Sequence, residues 1–145
     1  WPGRLEVLRK TPLVIADSAH NRDSARRLRQ YLLSLANGRP IWLIVGSSSG
    51  KDLEGLICEL APLAREVVAT CSGHSRALPK RQVAAIIQAF GAKAEIESDV
   101  YDALDRAVAF LGPDSLICVT GSLFLVTEAR EHILGRSVAA AWCKS

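Results

Sequence analysis

Short apolar-rich runs alternate with amphipathic helical segments along most of this chain, and this alternation constrains its fold more than any other feature. The runs lie at 13–16, 41–45, 66–70, 93–96 and 115–120. Runs of this length are typical of short strands, most of them buried on both faces. Strands that alternate with helices pair in parallel through crossover connections. We therefore expect an α/β fold, a three-layer, doubly wound, mainly parallel sheet with helices on both faces.

Helical periodicity fills the intervals between these runs. A first helix is expected over 22–36, where apolar residues recur on one face. Further helices are expected to begin after Asp52, after Pro79 and at Ser98 or Asp99. Each of these starts combines a capping residue or proline with a following apolar periodicity, which predicts well-defined helix N-termini.

The outer elements carry further expectations. Residues 1–8 are typical of a turn followed by a short edge strand. Helical spacing places Phe90 and Tyr101 on the inner faces of the third and fourth helices. The last helix is expected over 123–134, and residues 135–145 have no clear period, which indicates a helical extension or a loose tail.

Size and composition are typical of one globular domain. The chain has 145 residues, of which 49% are hydrophobic and 23% charged. A formal net charge of +3 is too small to indicate nucleic-acid binding, and no apolar run is long enough to cross a membrane. The cysteines show no zinc-binding spacing, so we expect Cys58 and Cys118 to be buried thiols in a reducing, cytoplasmic compartment. We interpret residues 1–145 as a single domain, and the start at Trp1 suggests a fragment of a longer protein.

Polar residues follow three of the predicted strands at the point where each strand ends. They form the segments 17–21 (Asp-Ser-Ala-His-Asn), 46–52 (Gly-Ser-Ser-Ser-Gly-Lys-Asp) and 121–122 (Gly-Ser). In a doubly wound sheet these segments open on the same edge, which is where ligands bind. Helix N-termini at the same edge favour an anion. The alternative interpretation is that Asp17 and Asn21 only cap a turn.

The segment 46–52 is similar in composition to a phosphate-binding loop but differs from it in spacing. A Walker A loop has four residues between its glycines, then Lys, then Ser or Thr. Here only three residues separate Gly46 from Gly50, and Asp52 follows Lys51. Because a carboxylate at that position would repel phosphate, we interpret the segment as a strand-to-helix connection with Asp52 as N-cap.

Four side chains have the chemistry to bind a nucleotide or another anion. Asp17 can accept hydrogen bonds from ribose hydroxyls, and His20 can donate to a phosphate or a carboxylate. Ser122 can donate its hydroxyl beside free N–H groups at a helix start. Arg4 can contact phosphate or stack on a base. Each of these residues taken singly is more often structural, since a histidine fits a turn and a serine fits an N-cap.

Taken together and in order, the motifs resemble a known family. They are 3–6 (Gly-Arg-Leu-Glu), 17–21, Lys51-Asp52, 75–79 (Ser-Arg-Ala-Leu-Pro) and 121–124 (Gly-Ser-Leu-Phe). This set resembles the C-terminal domain of folylpolyglutamate synthase and dihydrofolate synthase, which are Mur-type amide ligases. The resemblance covers nearly the whole chain, and it is specific as a set although no single motif is.

The resemblance implies a ligase that uses ATP to phosphorylate a folate-linked carboxylate, after which the amine of L-glutamate attacks the acyl phosphate. It implies that Arg4 and Asp17 contact ATP and that His20 and Ser122 contact glutamate or phosphate. In the family, the Walker A loop, the Mg²⁺ ligands and most of the folate site belong to a larger N-terminal domain. We therefore expect ATP and Mg²⁺ to serve the complete enzyme. This chain alone is expected to have no catalytic residue, no metal site and no ligase activity.

Two other functions stay open on the sequence. A cell-wall precursor ligase of the same superfamily shares the strand, Asp turn and helix, although the turn at 121–124 favours the folate branch. A non-catalytic nucleotide- or anion-binding module is compatible with the start at Trp1 and with the lack of a phosphate loop. A P-loop domain upstream of Trp1 would favour the ligase.

Overall fold

One sheet with helices on both faces makes up the part of the chain that the structure describes. The computed structural model covers the backbone of residues 3–144 and the side chains of residues 3–135. The strands are β1 (Glu6–Lys10), β2 (Leu13–Asp17), β3 (Ile41–Val45), β4 (Glu66–Ala69), β5 (Ala94–Ile96) and β6 (Leu116–Thr120). The helices are α1 (Arg22–Ala36), α2 (Leu53–Leu60), α3 (Lys80–Ala89), α4 (Val100–Phe110) and α5 (Leu123–Lys144), with a 3-10 turn at Ala61–Leu63.

The strand order is β1-β2-β6-β3-β4-β5. Every pairing from β2 to β5 is parallel. β1 pairs antiparallel with β2 at the edge of the sheet, and its register shifts between Val7 and Arg9, so that Leu8 enters the core. The expected doubly wound α/β fold is therefore confirmed, and the strand boundaries agree with the apolar runs to within about one residue.

Two apolar cores separate the layers. On one face of the sheet, α1, α2 and α3 bury side chains that include Leu28, Leu56 and Ile87. On the other face, α4 and α5 bury Leu104 and Leu125. Burying a side chain of this size is worth about 1.5–3 kcal/mol. The two cores hold the sheet from both sides and so fix the positions of the strand ends.

Two of the expected inner-face residues are exposed. Phe90 is the C-cap of α3 and is 45% exposed, because the helix ends before that position can turn back to the sheet. Tyr101 is 37% exposed, since its neighbours Val100 and Leu104 occupy the inner face of α4. Its ring contacts His132 on α5 instead, with the ring centroids 5.0 Å apart. Both inner-face predictions were wrong.

The remaining expectations gave mixed results. Cys118 is fully buried in β6, but Cys58 lies one position beyond the inner face of α2 and is only half-buried. α5 continues past residue 134 to Lys144, so the helical extension is the correct alternative for the C-terminal stretch. Residues 1, 2 and 145 lie outside the described residues. Among the described residues, no helix combines the length and the apolar character that crossing a bilayer requires.

Candidate functional site

The carboxyl ends of the parallel strands lie level with one another at one edge of the sheet. Asp17 of β2 is in register with Thr120 of β6, and Thr120 is in register with Val45 of β3. The segments 17–21, 46–52 and 121–122 therefore open on a common edge, which we call the carboxyl rim. This is the arrangement that the sequence predicts.

The carboxylate of Asp17 joins two turns of the carboxyl rim. Its Oδ1 accepts a hydrogen bond from the Ala19 N–H at 2.9 Å, and its Oδ2 accepts one from the Leu5 N–H at 3.0 Å. The first bond closes the turn after β2, and the second ties that turn to the approach to β1. A carboxylate offers about four lone-pair sites. Asp17 can therefore hold both turns and still accept a hydrogen bond from a ligand.

Arg4 lies in a strained turn just before β1. Gly3 and Leu5 on either side of it both have left-handed backbones, with φ of 78° and 50°. This conformation is uncommon for leucine, so surrounding contacts must stabilise it. The Gly3 N–H donates to Glu6 Oε1 at 3.1 Å, and the Gly3 carbonyl accepts from the Ser18 N–H at 2.8 Å. The exposed Arg4 side chain thus extends from a backbone that is held in place.

Glu6 anchors this turn to the helical layer, a role that the sequence motif does not indicate. Arg130 of α5 donates from Nε to both carboxylate oxygens of Glu6, at 3.1 and 3.0 Å. The Glu6 side chain is 19% exposed, so the ion pair is partly shielded from water. Glu6 therefore positions the Arg4 turn and does not itself face the site.

Arg4, Asp17 and His20 line one cavity of about 240 Å³, which we call the Arg4 cavity. Its other lining residues are Leu5, Ser18, Ala19, Ser24, Arg27 and Leu28. A larger cavity of about 510 Å³ beside Phe90 lies at the amino ends of β4 and β5, away from the residues that the strand ends bring together. Parallel sheets bind ligands at their carboxyl ends. The smaller cavity is therefore the better candidate site.

His20 lines the Arg4 cavity and is held by a hydrogen bond of its ring. Its Nδ1 lies 3.1 Å from the Ser18 carbonyl oxygen, and since a carbonyl only accepts, Nδ1 carries the proton. Nε2 takes no part in this bond. Asn21 next to it is the N-cap of α1, and its Oδ1 accepts from the Ser24 N–H at 2.9 Å. Asn21 thus caps the helix that follows the turn.

Ser122 lies on the carboxyl rim but below its surface. It is 4% exposed and does not line the Arg4 cavity. Its Oγ accepts from the Phe124 N–H at 3.1 Å and lies 3.2 Å from the Ser48 Oγ. The structure brings Arg4, Asp17 and His20 together and places Ser122 apart from them, at the start of α5. A ligand contact of Ser122 stays a prediction.

Backbone hydrogen bonds connect the loops of the carboxyl rim. The Asp52 N–H donates to the His20 carbonyl at 3.2 Å, and the Gly46 N–H donates to the Thr120 carbonyl at 3.3 Å. Asp52 is the N-cap of α2, as predicted, through a bond from the Gly55 N–H at 3.0 Å. Each loop therefore contributes to the conformation of the next.

The segment 71–79 is bound to the rim, although its sequence is typical of a solvated loop. Its Leu78 N–H donates to the Ser47 carbonyl at 2.9 Å, and its Arg76 carbonyl accepts from the Ser49 N–H at 2.8 Å. The sequence contains no local signal for this pairing, because both partners are backbone groups of loops.

An aromatic stack extends the rim beyond 121–122. The rings of His74 and Phe124 are stacked with centroids 3.6 Å apart and planes 10° apart. The Arg76 N–H donates to His74 Nδ1 at 3.1 Å, so this nitrogen is unprotonated. The bond from Arg76 and the stack on Phe124 together fix the orientation of the His74 ring at the rim.

The buried thiol of Cys118 is expected to make the folded domain less stable at alkaline pH. Burial, and to a smaller extent the Asp17 carboxylate, raises the pKa of this thiol above its usual range. At alkaline pH the folded protein keeps the thiol proton, whereas the unfolded chain loses it. The contribution of this thiol to the free energy of unfolding is therefore fully present below about pH 8.5 and declines as pH rises further. We expect the free energy of unfolding in urea to fall by up to about 1.4 kcal/mol per pH unit more in the wild type than in Cys118→Ala.

The control for this experiment is Cys71→Ala, which removes a half-buried thiol. The slopes of the three proteins are compared between about pH 8.5 and 10, the interval above the ordinary thiol pKa. Equal slopes in the wild type and in Cys118→Ala would contradict the assignment.

The family follows from comparison with known proteins. Residues 3–123 match the family model described as Mur ligase, glutamate ligase domain. This chain belongs to that family. The glutamate ligase domain is 33% identical to folylpolyglutamate synthase of Lacticaseibacillus casei over 139 residues, which are 93% of this chain and 30% of the relative. The resemblance to folylpolyglutamate and dihydrofolate synthases is thereby confirmed.

Solved structures agree with this assignment. The glutamate ligase domain is similar to Mycobacterium tuberculosis folylpolyglutamate synthase complexed with ADP, with a TM-score of 0.82 and 30% identity over 90% of this chain and 32% of that one. It is also similar to a bifunctional folylpolyglutamate synthase/dihydrofolate synthase with Mn, AMPPNP and L-glutamate bound. That match has a TM-score of 0.75 and 28% identity, and it covers 97% of this chain and 32% of that one. The chain spans about a third of the length of these relatives.

Proposed function

We propose that this glutamate ligase domain is part of an ATP-dependent ligase that adds L-glutamate to folate or dihydropteroate through an acyl phosphate. The observation that carries the proposal is the convergence of Arg4, Asp17 and His20 on one cavity at the carboxyl rim. The names of the relatives, and the nucleotides and L-glutamate bound in their solved structures, support the same reaction class.

In this proposal, Arg4 and Asp17 contact ATP. The guanidinium of Arg4 pairs with phosphate, and the free lone pairs of Asp17 accept from ribose hydroxyls. Phosphoryl transfer depends chiefly on positioning and on neutralising charge. The turn that carries Arg4 supplies the positioning, because its backbone is held by Glu6 and Asp17.

His20 and Ser122 are proposed contacts of glutamate or of phosphate. His20 lines the cavity, and since its Nδ1 is held by the Ser18 carbonyl, Nε2 is the ring nitrogen proposed to meet the ligand. Ser122 is buried, so its contact requires that the ligand reach the start of α5. There the hydroxyl lies beside the N–H groups of the first helical turn, which favour an anion.

The rest of the site is proposed to lie in an N-terminal domain of the same protein. Among side chains 3–135, the structure contains no group of three or more His, Cys, Asp or Glu residues that could hold a metal ion. We propose that the other domain supplies the Mg²⁺ ligands, the phosphate-binding loop and most of the folate contacts. Residues 1–145 alone then have no ligase activity.

Substitution of Arg4 in the full-length protein tests the proposal. Losing one charge-assisted hydrogen bond to phosphate costs about 1.5–3 kcal/mol, so Arg4→Gln should raise KM for ATP about tenfold or more. The measurement is glutamate-dependent ATP hydrolysis with ATP varied. Arg9→Gln is the matched control, since Arg9 is exposed on β1 and bonds only the nearby Thr11 carbonyl among the described residues.

Three outcomes would contradict parts of the proposal. An ATP dependence of Arg4→Gln equal to that of Arg9→Gln would remove Arg4 from the site. Glutamate-dependent hydrolysis by residues 1–145 alone would overturn the division of labour between domains. Nucleotide binding by the full-length protein without any turnover would favour a binding module.

A further inference from the structure

The arginines of α1 divide into two groups with different surroundings. Arg22, Arg26 and Arg29 lie on one side of the helix and approach Glu59 of α2, with N–O distances of 3.8, 3.2 and 3.8 Å. Their spacing is that of a single helical face. These three arginines therefore share a carboxylate and hold α1 against α2.

Arg27 lies on a different side of α1. With Ser24 and Leu28 it lines the Arg4 cavity, and it forms no ion pair or side-chain hydrogen bond with any described residue. It is exposed to solvent. An arginine that stays unpaired on a helix where its neighbours are paired is available to a ligand.

The charges that line the Arg4 cavity favour an anion. Arg4, Arg27 and His20 line it, and Asp17 is the only carboxylate among its lining residues. Both oxygens of Asp17 already accept backbone N–H groups. A guanidinium is a planar fork that matches phosphate and carboxylate oxygens.

We propose that Arg27 is a ligand-binding residue of this cavity and takes an anionic oxygen group, a phosphate or a carboxylate, together with Arg4. The inference rests on the proposed function, which supplies two sources of such groups. One is the phosphate chain of ATP, and the other is a carboxylate of L-glutamate. None of the motifs includes Arg27, and only the orientation of α1 separates it from the three arginines at Glu59.

The test uses the full-length protein and its Arg27→Gln, Arg27→Lys and Arg26→Gln variants. Binding of ATP and of L-glutamate is titrated separately by calorimetry, and KM for each is measured in glutamate-dependent ATP hydrolysis. Arg26→Gln is the matched control, because it removes the same charge one position away, on the Glu59 side of the helix. Thermal unfolding shows whether each variant is folded.

Arg27→Gln should weaken the binding of one of the two ligands about tenfold, while Arg26→Gln stays within about twofold of wild type. A loss confined to ATP identifies phosphate as the group bound, and a loss confined to L-glutamate identifies carboxylate. Arg27→Lys should recover part of the loss, since it keeps the charge without the fork. The affected Kd should also rise less steeply with salt in Arg27→Gln than in wild type.

The outcomes separate this inference from the proposed function. In one outcome the enzyme turns over, and Kd and KM for ATP and for L-glutamate are the same in Arg27→Gln as in Arg26→Gln. This result overturns the role of Arg27 and leaves the proposed ligase function in place. A protein without ligase turnover, whose ATP binding still weakens in Arg27→Gln, keeps the role of Arg27 and overturns the ligase. Wild-type protein that binds neither ATP nor L-glutamate overturns both.

Discussion

Replacing Gly121 with alanine is expected to destabilise the domain by about 2–5 kcal/mol. Gly121 has φ of 110°, a backbone conformation that L side chains rarely adopt, and a Cβ there would overlap the carbonyl oxygen of Gly46. The atom in the way belongs to the backbone of the neighbouring loop, so it cannot move aside as a flexible side chain would. Accommodating a methyl group requires that the ends of β3 and β6 separate.

Denaturant unfolding of Gly121→Ala against Gly112→Ala isolates this effect. A Cβ added at Gly112 meets nothing within 4 Å, and Gly112 has no positive φ. That control should therefore stay within about 0.5 kcal/mol of the wild type. An equal loss in both variants would mean that the close approach of the two loops is not what requires glycine at 121.

Asp17→Ala should lower kcat/KM for ATP of the full-length protein about 10²-fold or more. The substitution removes the proposed acceptor for the ribose and also leaves the Leu5 and Ala19 N–H groups without their acceptor. The strained Leu5 then loses a contact that holds the Arg4 turn in place. The substitution therefore removes the proposed contact of Asp17 with ATP and also loosens the turn that positions Arg4, and both changes impair the reaction with ATP.

Steady-state kinetics with ATP varied, beside the same measurement on Asp23→Ala, checks this expectation. Asp23 is an aspartate six positions along whose side chain is 86% exposed in the first turn of α1. Asp17→Asn should retain part of the activity, since its amide oxygen can still accept one of the two N–H groups. Asp17→Ala kinetics no worse than those of Asp23→Ala would exclude Asp17 from the site.

The sequence predicts those parts of the fold that depend on interactions between residues close together in the chain. The span of α1, the caps at Asn21 and Asp52, and the parallel sheet follow from periodicity and capping chemistry. For α4 the sequence offers Ser98 or Asp99, and the structure has Asp99 as the cap. The predictions that Phe90 and Tyr101 lie on inner helix faces were wrong because an offset of one position on a helix turns a side chain by about 100°.

The parts of the site that sequence reasoning missed depend on contacts between distant segments. Asp17 is recognisable as a polar residue at a strand end, but its bond to the Leu5 N–H depends on the antiparallel pairing of β1 with β2. Glu6 acquires its role from Arg130, 124 positions away along the chain. Arg27 differs from its neighbours only through the way α1 rests on α2, which no local pattern encodes.

The mutual bonding of the loops at the carboxyl rim has a mechanical consequence. The amide of Asp52 is committed to His20, that of Leu78 to Ser47 and that of Gly46 to Thr120. Moving one loop away from the next would leave a backbone donor or acceptor without its partner. These loops therefore resist being deformed separately. If the proposed N-terminal domain is joined to this one by a hinge, the carboxyl rim would therefore move as one rigid unit whose loops are already in place.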